Sequence, residues 1–183
     1  GYVSIPSALA IKNSNGEFLD RYGERFNLTN WTIEATVRLT EEPKERIVIL
    51  RRECEPYGYV SYELGIDTDR IPYVYFQNAI GKEYKVVGYS PVPLNEWTHI
   101  AGRYGPGDDG DKDRELTLFI NGSPIKRDVT DAFCAIGATY ADVVMAKNLL
   151  GDLDEVRVWN YAVPAYRIAK SWDKMLLFGA DSA

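Results

Sequence analysis

The chain has 183 residues, 45% hydrophobic and 26% charged, with a formal net charge of −6, a size that suits one well-buried soluble domain over residues 1–183. That acidic balance excludes a nucleic-acid-binding surface, which needs a basic stripe. No apolar run approaches the ~20 residues that cross a bilayer, so membrane insertion is not expected. No charged-then-apolar leader follows Gly1, so a secretion signal is expected to be absent or already removed.

Short alternating segments rich in Val, Ile, Tyr, Trp and Thr recur along the chain, separated by Gly, Pro, Asp and Asn. They predict strands near 2–6, 30–39, 46–52, 59–67, 72–78, 83–89, 97–104, 115–121, 124–128, 142–147 and 152–159. So many regularly spaced strands with little helical periodicity predict an all-β fold, a two-sheet antiparallel jelly-roll sandwich. Asn121-Gly122 between two of these runs is a two-residue hairpin signal, because both residues tolerate positive φ. Residues 105–114 read as a long acidic loop, and 164–172 as a short C-terminal helix with Pro164 at its first position. The apolar segment 175–178 is expected to pack.

Alternation also assigns faces, since successive strand residues point to opposite sides. In the segment 151–160, GDLDEVRVWN, Val156 and Val158 go inward while Glu155, Arg157 and Trp159 go outward. Trp31 and Trp97 read as core residues. Cys54 and Cys134 lack the spacing of a metal site, and leave one disulfide or two free thiols equally open. The sequons at Asn27, Asn30 and Asn121 occur at a frequency that chance supplies.

Five segments in order carry a resemblance: WTIEATVR (31–38), YELGI (62–66), PLNEWTHIA (93–101), LFING (118–122) and GDLDEVRVWN (151–160). Together they resemble the laminin-G-like and pentraxin-like jelly rolls of the concanavalin A-like lectin/glucanase superfamily, over residues 1–169. Resemblance to that superfamily implies a lectin, an adhesion module, a carbohydrate-binding module or a glycosidase.

Glucanases of the superfamily resemble one another in a strand that carries acids at i, i+2 and i+4 or i+5, where hydrolysis with retention needs two carboxylates about 5 Å apart. Here Asp152 and Asp154 share a face, but position 156 is Val and Glu155 is expected to point away. Glu53 and Glu55 flank Cys54 in an expected loop. His99, the single histidine, reads as a structural or surface residue. No Gly-x-Ser-x-Gly elbow or phosphate loop is present, so a non-catalytic protein is expected.

The resemblance implies a structural calcium where the first strand meets the strand at 151–160, and Asp152 and Asp154 match that position. The alternative is that these acids cap turns and bond neighbouring backbone. The run Asp108, Asp109, Asp111, Asp113 lacks the closing Glu of a calcium loop and reads as a solvated hairpin tip.

Sugar recognition needs an aromatic face for stacking and planar polar groups for hydroxyls. In residues 72–78, inward Val74 and Phe76 put Tyr73, Tyr75 and Gln77 on the opposite face, the tyrosines about 7 Å apart. Glu63 is expected on that face too, and His99 and Arg103 follow the same parity on their strand. Cross-strand cover of the sheet is the plain alternative. Tyr57 and Tyr59 about Gly58, and outward Trp159, are rival sugar contacts. The expected function is a non-catalytic, extracellular or cell-surface carbohydrate-binding module whose partner is an oligo- or polysaccharide. The alternatives are an adhesion module that binds other surface proteins, and a glycoside hydrolase.

Overall fold

Alternating runs pair into sheets because each buries one apolar face and satisfies its backbone on both edges. The structure, a computed structural model, describes residues 1–5, 10–12, 14, 15, 18–21, 26–54, 58–108, 113–130 and 142–174. Its strands are β1 (Val3–Ile5), β2 (Ala10–Lys12), β3 (Phe18–Arg21), β4 (Trp31–Leu39), β5 (Ile47–Cys54), β6 (Tyr59–Ile66) and β7 (Pro72–Gln77). They continue as β8 (Glu83–Val87), β9 (Thr98–Pro106), β10 (Arg114–Ile120), β11 (Ser123–Thr130), β12 (Val143–Lys147) and β13 (Gly151–Trp159), followed by one helix, α1 (Ala165–Ser171).

A six-stranded sheet, β1-β12-β5-β6-β7-β8, faces a five-stranded sheet, β11-β10-β9-β4-β13, and all their pairings are antiparallel. This is the jelly-roll sandwich that alternation predicts. The predicted strand positions agree to within a few residues, and the pair β2–β3 is additional. Strands of three and four residues are too short to show a period.

Between the sheets lies an aromatic centre. The Trp31 ring sits 5.8 Å from Tyr62, 5.6 Å from Tyr104 and 6.5 Å from Phe76, among buried Ile33, Leu64, Val74 and Leu118. The hairpin at Asn121-Gly122 forms as its sequence predicts, with φ of 47° and 75° and Ile120 paired to Ser123. Helix α1 lies on the outside of the five-stranded sheet, where Val163 and Ile168 cover Ala101 and Phe119. Pro164 precedes the helix as its N-cap (φ −55°, ψ 140°) and is not its first residue.

Strand β13 departs from the simple alternation. Leu153, Val156 and Val158 all pack against the core, yet 153 and 156 differ by an odd number. A bulge resolves this: Asp154 pairs with Thr36 and the next pair is Arg157 with Glu34. Glu155 takes the left-handed conformation (φ 50°) in the extra space, as the additional residue of a bulge can.

Gly102 marks how closely the sheets approach, since a Cβ there would come within 2.4 Å of Val74 Cγ2 on the opposite sheet. Gly102→Ala therefore overpacks the core, and chemical denaturation is expected to show a loss of about 1–3 kcal/mol.

Candidate functional site

On the outer face of the five-stranded sheet, strand register arranges the side chains in rows. Asp154, Thr36 and His99 are cross-strand neighbours; Arg157, Glu34 and Ala101 form the next row, and Trp159, Thr32 and Arg103 the one after. The middle row organises the others. Glu34 is only 4% exposed, and a buried carboxylate needs partners. Its Oε2 accepts from His99 Nε2–H at 2.9 Å and its Oε1 from Trp159 Nε1–H at 2.7 Å, with the Arg157 guanidinium 3.6 Å away. Burial by itself would raise the Glu34 pKa. The hydrogen bonds from His99 and Trp159, with the charges of His99 and Arg157, outweigh it and hold the carboxyl below its usual 4.5.

A pocket of about 380 Å³ opens beside this network, lined among others by Thr36, Trp97, His99, Asp154, Glu155 and Trp172. His99 is 1% exposed, so the expected outward parity holds while a surface position does not. Its Nδ1 has no hydrogen-bond partner. Trp172 ends α1 and crosses the hairpin, where a Cβ on Gly122 would meet its ring at 2.3 Å. Trp97 is 47% exposed, which corrects its expected core position. Asn95 turns the chain with φ 61° and β9 starts only at Thr98, so strand alternation does not extend back to Trp97. The Arg38 guanidinium lies 5.2 Å from the centre of its ring.

The bulge also corrects the expectation that Glu155 points away from Asp154, since both line this pocket. Each already has a partner. Asp154 Oδ1 accepts the backbone N–H of Glu155 at 2.8 Å, and Glu155 is paired with Arg157. A general acid of a glycosidase needs a raised pKa, and Glu34 is shifted the other way.

Tyr73, Tyr75, Gln77 and Glu63 come together on the outer face of the six-stranded sheet, as parity predicts, but this part of the face is closed. Tyr73 is 2% exposed. Its hydroxyl donates to Glu63 Oε1 at 2.6 Å and its ring is capped by the Lys85 ammonium 4.2 Å from the centre. The ring also covers Gly65, where a Cβ would lie 2.4 Å from the hydroxyl. Burial, then the Glu63 charge, pushes the Tyr73 pKa well above its usual range, while burial and the Glu83 carboxylate push Tyr75 up to about 12. Tyr75 donates to Glu83, and buried Glu63 is neutralised by Arg51 at 2.7 Å. Gln77 accepts from Val60 N–H and donates to the Gly81 carbonyl. Neither tyrosine offers an open ring for stacking, because cross-strand partners occupy both.

The remaining expected contacts separate. Tyr59 lies against Gly81 in the β7–β8 turn, and Tyr57 lies outside the described residues, as do Glu55, Asp109, Asp111, Cys134 and 175–178. Trp159 is held by Glu34 and by an edge contact with Tyr161 at 5.8 Å. Arg103 is buried at the other end of the sheet, where it donates to the Pro106 carbonyl and to Asp108.

The expected calcium ligands do not form a set. Asp152 Oδ2 accepts both Nε–H and an Nη–H of Arg38, at 2.8 and 2.6 Å. Among the described residues no three His, Cys, Asp or Glu side chains gather as a metal site.

The family model described as concanavalin A-like lectin/glucanases superfamily, of laminin G type, matches residues 12–169. The chain belongs to that superfamily. Solved structures share its fold. The Ruminococcus gnavus IT-sialidase CBM40 bound to α2,3 sialyllactose is 16% identical with a TM-score of 0.64, over 93% of this chain and 98% of that one. A heptameric SAP-like pentraxin from Limulus polyphemus is 12% identical with a TM-score of 0.54, over 78% and 69%. A putative carbohydrate binding protein from Bacteroides ovatus is 18% identical with a TM-score of 0.57, and the 81% of this chain that aligns spans only 42% of that protein. Among curated protein sequences none matches the chain. At these identities the structural likeness concerns the lectin-like fold.

Two measurements probe this site. A carboxyl with a lowered folded pKa contributes stability that is present above its unfolded pKa and lost as pH falls through the folded one. Glu34→Gln is therefore expected to lower Tm at pH 7, and its deficit against wild type to shrink as pH drops below 4.5. Excess calcium or EDTA is expected to leave Tm unchanged, whereas a site filled at 100 Kd would add about 2.7 kcal/mol.

Proposed function

We propose that the protein is a non-catalytic carbohydrate-binding module, and that its primary sugar contacts lie in the pocket of Trp97, Thr36, His99 and Asp154. The observation that carries this reading is the exposed Trp97 indole at the edge of a mostly apolar pocket with a few polar side chains in a lectin-like fold. A tryptophan face supplies a large apolar area with a polar N–H at its edge, which suits stacking on a sugar ring. The Thr36 hydroxyl and the Asp154 carboxylate supply the polar groups that fix the orientation of ring hydroxyls. Carbohydrate-binding proteins among the structural neighbours support the same reading, and it carries an extracellular or cell-surface setting with it.

Binding without turnover is favoured because the three carboxylates of the sheet face at the pocket are engaged: Glu34 by His99 and Trp159, Glu155 by Arg157, Asp154 by backbone. The polar groups of the pocket include Asp154, Glu155, Asp173 and a single lysine, Lys174, so neutral sugars suit it better than acidic ones.

Isothermal titration against a panel of cellotetraose, chitotetraose, mannotetraose, lactose and sialyllactose tests the proposal. At least one probe is expected to bind, and Trp97→Ala to weaken it tenfold or more, about 1.4 kcal/mol, with no release of reducing sugar. If no probe that binds is weakened by Trp97→Ala, this site falls, and turnover of a probe would sink the non-catalytic reading.

A further inference from the structure

A second pocket, of about 500 Å³, lies at the other end of the same sheet face, beyond Trp159. Its lining includes Asn30, Arg103, Asp108, Tyr161, Pro164 and Tyr166. Arg103 comes from β9, Asn30 from the turn before β4, and the two tyrosines from the segment that leaves β13 and enters α1. Thr32 fixes that segment, since its hydroxyl donates to the Tyr161 carbonyl at 3.2 Å and accepts the Val163 N–H at 2.9 Å. Asp108 ties the loop after β9 to the start of α1, with one oxygen on Arg103 at 2.6 Å and the other on the Ala165 N–H at 2.8 Å. The walls are thus held by hydrogen bonds from three separate stretches of chain.

One feature calls for a ligand. Tyr166 is 69% exposed and Tyr161 is also open, at 38%, so two aromatic rings border one cavity. Arg103 lines that cavity too, with its guanidinium held by the Pro106 carbonyl and by Asp108. Charge narrows the class. The Arg103 guanidinium is balanced by Asp108 and by Glu115 3.5 Å away, so the pocket carries no surplus of positive charge for an anion. Aromatic faces with balanced planar polar groups suit a neutral ligand that has both an apolar face and hydroxyls.

We infer that this pocket is a second saccharide-binding site, independent of Trp97, in which Tyr166 and Tyr161 stack on a neutral sugar. The ligand class rests on the carbohydrate-binding reading above; the site does not depend on the Trp97 pocket. Two sites on one module would raise its avidity for a polysaccharide that reaches both.

The test titrates the same five oligosaccharides into Trp97→Ala, Tyr166→Ala and the double variant, with Tm recorded for each; Tyr166 is exposed enough for its variant to keep the fold. At least one probe is expected to bind Trp97→Ala within about threefold of wild type and to lose tenfold or more when Tyr166→Ala is added. If every probe that binds wild type is lost in Trp97→Ala alone, or if Tyr166→Ala changes nothing, the second site is overturned while the first stands. If binding depends on Tyr166 and not on Trp97, the second site stands and the first falls. No binding of any probe to any variant would overturn both.

Discussion

Glu34 is a carboxylate placed where water does not reach it, and the outer face of the five-stranded sheet is arranged around keeping it charged. Desolvation of an ion in such a place costs several kcal/mol unless hydrogen bonds and opposite charge replace the lost solvent. His99, Trp159 and Arg157 do so, from β9 on one side and β13 on the other. Both neighbouring strands are thereby pinned to β4 by side chains as well as by backbone ladders. The same bonds orient His99 toward one pocket and Trp159, through its edge contact with Tyr161, toward the other.

The two outer faces of the sandwich solve the same problem differently. On the six-stranded sheet, Glu63 is likewise buried and ionically paired, but Tyr73 closes over Gly65 and Lys85 caps the ring. Around β6, β7 and β8 that face has become a layer of structure. On the five-stranded sheet, α1 covers only the middle, through Val163 and Ile168. A helix of seven residues spans roughly 10 Å, whereas the nine residues of β4 run roughly 30 Å. The ends of the face therefore remain open on either side of it, and both pockets lie there.

Much of the fold was legible because its signals are local. Period-two alternation marks strands whatever they pair with, and Asn121-Gly122 marks a hairpin because φ is a property of the residue itself. Parity also grouped Tyr73, Tyr75, Gln77 and Glu63 correctly on one face. The strand that named the family was read less well at Asp154 and Glu155, because a bulge moves every later residue by one place and leaves no mark in composition. A hint existed: Leu153, Val156 and Val158 are all apolar, and an odd interval between inward residues implies an extra one.

Trp97 shows the same limit, since alternation holds only inside a strand and Asn95 turns the chain before β9 begins. The order of residues by itself determined the class of fold, the strands, the hairpin and the family, because these follow from periodicity and from the φ preferences of single residues. Tertiary structure alone decided which aromatic rings stay open. Exposure depends on what the other sheet, a helix or a lysine from the next strand places over a ring, and those neighbours are distant in the chain. Parity could say that Tyr73 faces away from the core; it could not say that Lys85 and Glu63 close it while Trp97 and Tyr166 remain exposed.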